Sequence, residues 1–166
     1  MNFAVTGGAG FIGSHLTKYL ISEGHDVTVI DNLFRGKLSN LEEVKDRINF
    51  FKLDILDLEN LRKTLQNMDG VFHQASLTSV PESYEKESEY KKVNVAGTEN
   101  IFKIASELKI KVVYASSSSV YGDTKKIPIT ERCFIIIRFS NNSLNSEVCN
   151  VFYKNDSVII FESKLI

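Results

Sequence analysis

Four of the nine glycines fall between positions 7 and 13, in the run Thr6-Gly7-Gly8-Ala9-Gly10-Phe11-Ile12-Gly13. From Gly8 the run satisfies G-x-G-x-x-G, and from Gly7 it satisfies G-x-x-G-x-x-G. The chemistry this suits is the holding of phosphate. A tight turn needs positive φ, a backbone lying close to a pyrophosphate leaves no room for Cβ, and a helix packed tightly on its strand needs a bare Cα. The first N–H groups of a helix lack partners inside it and can donate to phosphate oxygens. Gly7, Gly10, Phe11, Ile12 and Gly13 are therefore candidate cofactor contacts. Asp31 follows Gly13 by 18 residues, at the end of the apolar run DVTVI. A carboxylate at that distance accepts from the adenosine ribose hydroxyls and repels a 2′-phosphate. Two like charges about 4 Å apart cost roughly 4 kcal/mol at an effective dielectric of about 20, on the order of a thousandfold against NADP. Arg35 is close enough in sequence to soften that repulsion, so NAD is favoured and NADP stays open.

These groups need elements to position them. Asn2–Thr6 reads as a strand stopped by glycines, and Phe11–Ser22 as a helix with Ile12, Leu16 and Leu20 on one face. Asp26–Ile30 and Ile48–Leu53 read as further strands, with Leu38, Leu41 and Val44 at a helical period between them. Asp57–Met68 carries Leu58, Leu61, Leu65 and Met68 at helical spacing behind Asp57, a plausible N-cap. Val71–His73 and Lys111–Ala115 are buried-strand candidates. They flank a long segment in which Val95, Phe102, Ala105 and Leu108 can form one face. Strand and helix alternating in this way predict an α/β fold: a doubly wound parallel sheet, Rossmann-like, with helices on both faces. The alternation holds over residues 1–130. Residues 131–166 read as a diverged or truncated remainder of the same domain, with Ser157–Phe161 as one more possible strand.

A length of 166 residues allows one domain. The 20 Lys and Arg balance 21 Asp and Glu, which gives no electrostatic reason to expect nucleic acid or an anionic membrane. No apolar run approaches the ~18 residues that span a bilayer, and the first residues do not read as a signal peptide. Cys133 and Cys149 lie outside any zinc-ligand spacing and read as small core hydrophobes. The expectation is a cytoplasmic, small-molecule protein.

With TGGAGFIG followed by Asp31-Asn32-Leu33, the chain resembles the extended short-chain dehydrogenase/reductases, and within them the nucleotide-sugar epimerases and dehydratases. Further matches keep chain order. Leu53-Asp54-Ile55 resembles the element whose Asp and Ile contact adenine, and Phe72-His73-Gln74-Ala75-Ser76 the loop beside the cofactor. Asn94-Val95-Ala96-Gly97-Thr98 resembles a helix motif with a structural, cofactor-linked Asn. Ser116-Ser117-Ser118-Ser119-Val120-Tyr121-Gly122 resembles the strand end where a hydroxyl, here Ser117, meets the sugar. The resemblance implies NAD as cofactor and a nucleotide-sugar substrate. It also implies cofactor contacts from Asn32, Gly36, Asp54, Ile55, Gln74, Ala75, Ser76, Asn94 and Ser116. Each match has a plainer reading too. Asp54 can cap the next turn, His73 reads as a satisfied, half-buried histidine rather than a catalyst, and the serines can be an ordinary loop.

The resemblance also implies a Tyr phenolate that takes the sugar proton, with a Lys four residues later, somewhat over twenty residues after Ser117. That pair is absent at that distance: Tyr153 has Ser157 at the needed offset. Aligning Leu144-Asn145-Ser146-Glu147 on the family's helix puts Phe139 and Ser143 in the two places; either register leaves the pair missing. Ser118 and Ser119 stand where dehydratases carry an acidic pair, which tilts the reading toward epimerase. A sixth strand and a C-terminal substrate lobe are expected to be missing. Three functions follow: a catalytically impaired epimerase-like enzyme, a non-catalytic NAD-binding module, or an incomplete gene product. The resemblance also implies a homodimer, with residues 88–108 supplying one contact helix and the second, at about 142–153, altered here; pairing with a full-length relative is the alternative assembly.

Overall fold

The computed structural model describes residues 1–116 and the backbone of Val158–Phe161. The strands are β1 (Asn2–Thr6), β2 (Asp26–Asp31), β3 (Ile48–Lys52), β4 (Gly70–His73), β5 (Lys111–Ala115) and β6 (Val158–Phe161). All neighbours pair in parallel, in the order β3-β2-β1-β4-β5-β6. The chain winds outward from β1 to β3, returns to β4 on the other side of β1, and winds outward again. Thr6 at the end of β1 lies opposite Ile30 and His73. The crevice between the ends of β1 and β4 is where a doubly wound sheet binds its ligand.

Alternate residues of the central strands feed two cores. Val5, Val27 and Val29 join Leu20 and Ile21 of α1 (Phe11–Ser22), with Leu41 and Val44. Ala4, Ile30, Val71 and Val112 join Leu61 and Leu65 of α2 (Leu58–Leu65) and Ile101 and Ile104 of α5 (Thr98–Leu108). Side chains leave a strand on alternating sides, so a strand covered on both faces must be apolar at successive positions. That is why DVTVI carries so little polarity. The Rossmann-like sheet predicted from the alternation of elements is therefore present.

Several local readings change. In α1 the buried residues are Gly13, Ser14, Thr17, Leu20 and Ile21, while Ile12 is 54% exposed. The helix turns Gly13 toward β1, where a Cβ would meet the Gly7 carbonyl oxygen at 2.2 Å, and Ile12 faces outward as a result. Leu38–Arg47 forms 3₁₀ turns, burying Leu41 and Val44 but leaving Leu38 exposed. Three residues per turn suit the Leu38, Leu41, Val44 spacing better than 3.6. Asp57 does cap α2, accepting the Asn60 N–H at 3.2 Å, but the helix ends at Leu65, short of Met68.

The segment before β5 holds α3 (Val80–Glu85), α4 (Glu87–Lys91), a π-helical turn (Lys92–Gly97) and α5. In α5 the buried residues are Thr98, Ile101, Ile104 and Ala105, with Phe102 and Leu108 at the flanks. The wide π turn shifts the helical phase, so Val95 does not continue that stripe. Beyond β5, the place expected to lack a sixth strand is occupied: Val112 lies opposite Val158 and Ala115 opposite Phe161. Ser117, Ser118, Ser119, Cys133, Phe139, Ser143, Cys149 and Tyr153 lie outside the described residues. No helix among the described residues is long and apolar enough to cross a membrane.

Candidate functional site

At the end of β1 the backbone must reverse into α1 within a few residues. Gly7 makes the bend at φ +67, with its N–H on the Ile30 carbonyl at 2.8 Å. A Cβ there would lie 2.8 Å from the backbone of Ala75, so the turn is pressed against the chain leaving β4. The Gly10 N–H donates to the Gly7 carbonyl at 3.0 Å, and Ser14 N–H to the Gly10 carbonyl at 3.0 Å. No side chain caps α1. The first N–H groups of a 12-residue helix therefore open beside the turn with its positive end outward.

Asp31 at the end of β2 is 7% exposed. Its two oxygens accept the Ala9 N–H at 3.0 Å and the Leu33 N–H at 2.7 Å. Leu33 takes φ 62, a conformation costing an ordinary residue roughly 1–2 kcal/mol, and the bond to Asp31 holds it there. Gly36 folds back over the carboxylate, where a Cβ would lie 2.8 Å from both oxygens. The Ala9 carbonyl accepts from Lys37 N–H at 3.0 Å and from Asn40 Nδ2 at 2.8 Å. Ala9 and Asn40, neither singled out as a site residue from the sequence, thus tie the glycine turn to the loop after β2.

Asp54 beyond β3 accepts from Leu56 N–H and from Asn32 Nδ2, both at 2.9 Å. The first bond is the turn-capping role; the second joins it to the loop after β2. Ile55 is buried beneath Gly97, whose missing Cβ would lie 2.5 Å from the Ile55 Cδ1. At the end of β4, His73 is fully buried, deeper than the half-buried histidine expected. Its Nδ1 lies 2.6 Å from Thr6 Oγ1 and its Nε2 3.0 Å from Thr98 Oγ1. Burial pushes its pKa down to about 4, so the ring is neutral and fully partnered, as a structural histidine is. The Ala75 N–H reaches the same Thr6 hydroxyl at 3.3 Å. Asn94, in the π turn, grips Leu77 at both backbone groups: Oδ1 accepts its N–H at 2.8 Å and Nδ2 donates to its carbonyl at 2.9 Å.

Together these elements enclose a cavity of about 350 Å³. Gly7, Gly10, Asp31, Asn32, Gly36, Asp54, Ile55, Gln74, Ala75 and Ser76 line it. Phe11 and Ile12 carry exposed side chains outside it, so only their backbones can serve a ligand there. Gly13 packs against Gly7, Asn94 is bonded to Leu77, and Ser116 follows β5 half-buried; these three are not among the lining residues. The sequence reading missed the apolar walls Leu53, Leu56 and Val93, and the charged Glu89 and Lys92 at the rim. Strand-end position was the only available signal for Leu53; the others lie in turns and helices that no short motif marks. No group of three or more His, Cys, Asp or Glu that could hold a metal occurs among the described residues. An uncapped helix start, glycines facing the cavity and a buried acid at the end of β2 fit a dinucleotide.

The family model described as the NAD dependent epimerase/dehydratase family matches residues 3–137. A UDP-N-acetyl-alpha-D-glucosaminuronate decarboxylase of Bacillus cytotoxicus is 42% identical over 118 residues, covering 71% of this chain and 37% of that protein. A UDP-glucose 4-epimerase of Haemophilus influenzae is 41% identical over 140 residues, covering 80% of this chain and 41% of that protein. Among solved structures, a dTDP-glucose 4,6-dehydratase of Streptomyces venezuelae with NAD bound superposes with a TM-score of 0.83 at 30% identity, covering 98% of this chain and 55% of that one. The chain thus spans about two fifths of the length of these curated relatives.

Proposed function

The chain belongs to the NAD dependent epimerase/dehydratase family, and from that premise we propose that its cleft holds NAD for nucleotide-sugar chemistry of the UDP-glucose 4-epimerase kind. One juxtaposition carries this reading: the uncapped start of α1 and the buried Asp31 carboxylate border the same cavity. The α1 N–H groups would hold the pyrophosphate, with Gly7 and Gly10 leaving it room. Asp31 has lone pairs left after two backbone bonds, and these would accept the adenosine ribose hydroxyls. Asn32, Gly36, Asp54 and Ile55 would border the adenosine, and Gln74, Ala75 and Ser76 would run beside the rest of the cofactor. Asn94 would act at one remove, by fixing Leu77 in the loop that carries those three. NAD, when bound, supplies an acceptor that takes a hydride from a sugar carbon and gives it back.

Ser117 is the residue proposed to meet the sugar hydroxyl. The proton taken from that hydroxyl needs a base, and the sequence offers none at the family's place. Tyr121 and Lys125 stand four apart, but Tyr121 follows Ser117 by only four residues. Phe139 and Ser143, the residues aligned with the missing pair, can neither accept a proton nor supply a positive charge. Loss of a positioned general base costs typically about 10²–10⁴-fold. Turnover by this chain alone is therefore proposed to be impaired. That sequence feature favours a second reading, an NAD-holding module that pairs with itself or with a full-length relative.

The test is calorimetric titration of the chain with NAD and with NADP, followed by addition of UDP-glucose to the NAD-bound protein. Micromolar NAD binding and much weaker NADP binding are expected, without nicotinamide reduction at 340 nm. Absence of NAD binding would overturn the cofactor reading. Reduction on adding the sugar nucleotide would overturn the impairment.

A further inference from the structure

Asp31 and Arg35 pull cofactor choice in opposite directions. An acid at the end of β2 disfavours a 2′-phosphate, whereas an arginine close by is the group that accommodates one. Both residues border the cavity, as does Gly36. If Arg35 were free to turn inward, its charge would offset that of Asp31.

The guanidinium is held elsewhere. Arg35 Nη2 lies 2.6 Å from both carboxylate oxygens of Glu82, on α3, 47 residues further along the chain. The Tyr90 hydroxyl donates to Glu82 Oε2 at 3.3 Å, and Tyr90 on α4 is only 5% exposed. The Glu82 N–H reaches Ser79 Oγ, which caps α3, at 3.5 Å. The carboxylate is thus anchored by packed structure on one side and grips the guanidinium on the other. The Phe34 ring lies 5.5 Å beneath the Arg35 guanidinium carbon, a second contact favouring the same place. Each partner also keeps the other charged: Glu82 raises the Arg35 pKa, and Arg35 lowers that of Glu82.

We infer that Glu82 determines cofactor specificity as a positioning residue: it holds Arg35 away from the 2′ position and leaves the Asp31 charge unopposed, so that the site rejects NADP. This rests on the reading that the cleft holds NAD. An exposed ion pair contributes little to stability, but this role needs only that the guanidinium be occupied. The pairing lies outside the strand-end acid itself and joins the loop after β2 to the helices after β4.

The experiment is a calorimetric comparison of NAD and NADP on the full chain, in wild type, Glu82→Gln, Arg35→Ala and the double variant. The amide introduced by Glu82→Gln keeps an acceptor for Tyr90 while losing the charge. Glu82→Gln is expected to raise NADP affinity about threefold to fivefold, as much as freeing a guanidinium from an exposed ion pair can return, with NAD affinity changed less than about twofold. The double variant should lose that gain. Arg35→Ala alone should leave NADP affinity within about threefold of wild type, since the side chain is already withheld. Unchanged NADP affinity in Glu82→Gln overturns the inference. So does a gain that survives in the double variant, or a severalfold loss of NADP affinity in Arg35→Ala. Failure of the wild type to bind NAD at all overturns the cofactor reading first, and is distinguishable because it appears before any variant is compared.

Discussion

The neutral His73 makes the stability of the fold depend on pH in a calculable way. In the unfolded chain the imidazole takes up a proton near its ordinary value of 6.5; in the folded chain burial pushes that event down to about 4. Between those values the unfolded state binds the extra proton, so stability rises with pH. The contribution is fully present above about 6.5 and is lost as pH falls toward about 4. A gap of about 2.5 units amounts to roughly 3 kcal/mol in full, of which about 2 kcal/mol is lost by pH 5. Urea unfolding at pH 7.5 and pH 5.0 reads this directly. Against the wild type stands His73→Gln, whose amide can still span Thr6 and Thr98 but does not titrate. The wild type should lose about 2 kcal/mol more than the variant on acidification. Parallel losses in the two proteins would refute the argument, because they would show that the buried ring is not what the acid attacks.

Two further substitutions probe the site. Gly13→Ala places a Cβ 2.2 Å from the Gly7 carbonyl oxygen, so α1 must move off β1. A loss of about 1–3 kcal/mol in urea unfolding is expected, with NAD affinity falling more than about tenfold in calorimetry as the helix start shifts. Asn94→Ala strips both backbone partners from Leu77. It should cost about 1–3 kcal/mol and speed amide exchange at Leu77, a local effect that a uniform loss of stability would not single out.

Much of this fold is legible in one dimension because the relevant physics is local. Glycines at 7 and 13 answer to a bend and a contact within a few residues of themselves. The run Val27–Ile30, with Thr28 its one polar residue, reports burial on two faces without any knowledge of what covers them. Asp57 announces α2 because its partner, Asn60, is three residues away. What escaped depends on distant partners. Ile12 has the right spacing for the core, yet the close approach of Gly13 to Gly7 rotates it into solvent. The π turn at Lys92–Gly97 leaves no mark in hydrophobic spacing that separates it from an ordinary helix, so spacing groups Val95 with residues it does not accompany. Arg35 could be placed near Asp31 from sequence, but Glu82, 47 residues further along, decides where its charge goes. The satisfaction of His73 by Thr98 across 25 residues is likewise a product of the sheet order.

The two backbone bonds to Asp31 bear on how such a sequence drifts through generations. Replacing this acid strands the N–H groups of Ala9 and Leu33 and releases the turn at Leu33. Selection for a foldable chain alone would then retain Asp31, together with the glycines pressed against Ala75 and against one another. A descendant that had ceased to use any dinucleotide would still carry the full signature of one that did. In this cleft the residues that shape a dinucleotide site are the same ones that hold the backbone in its fold.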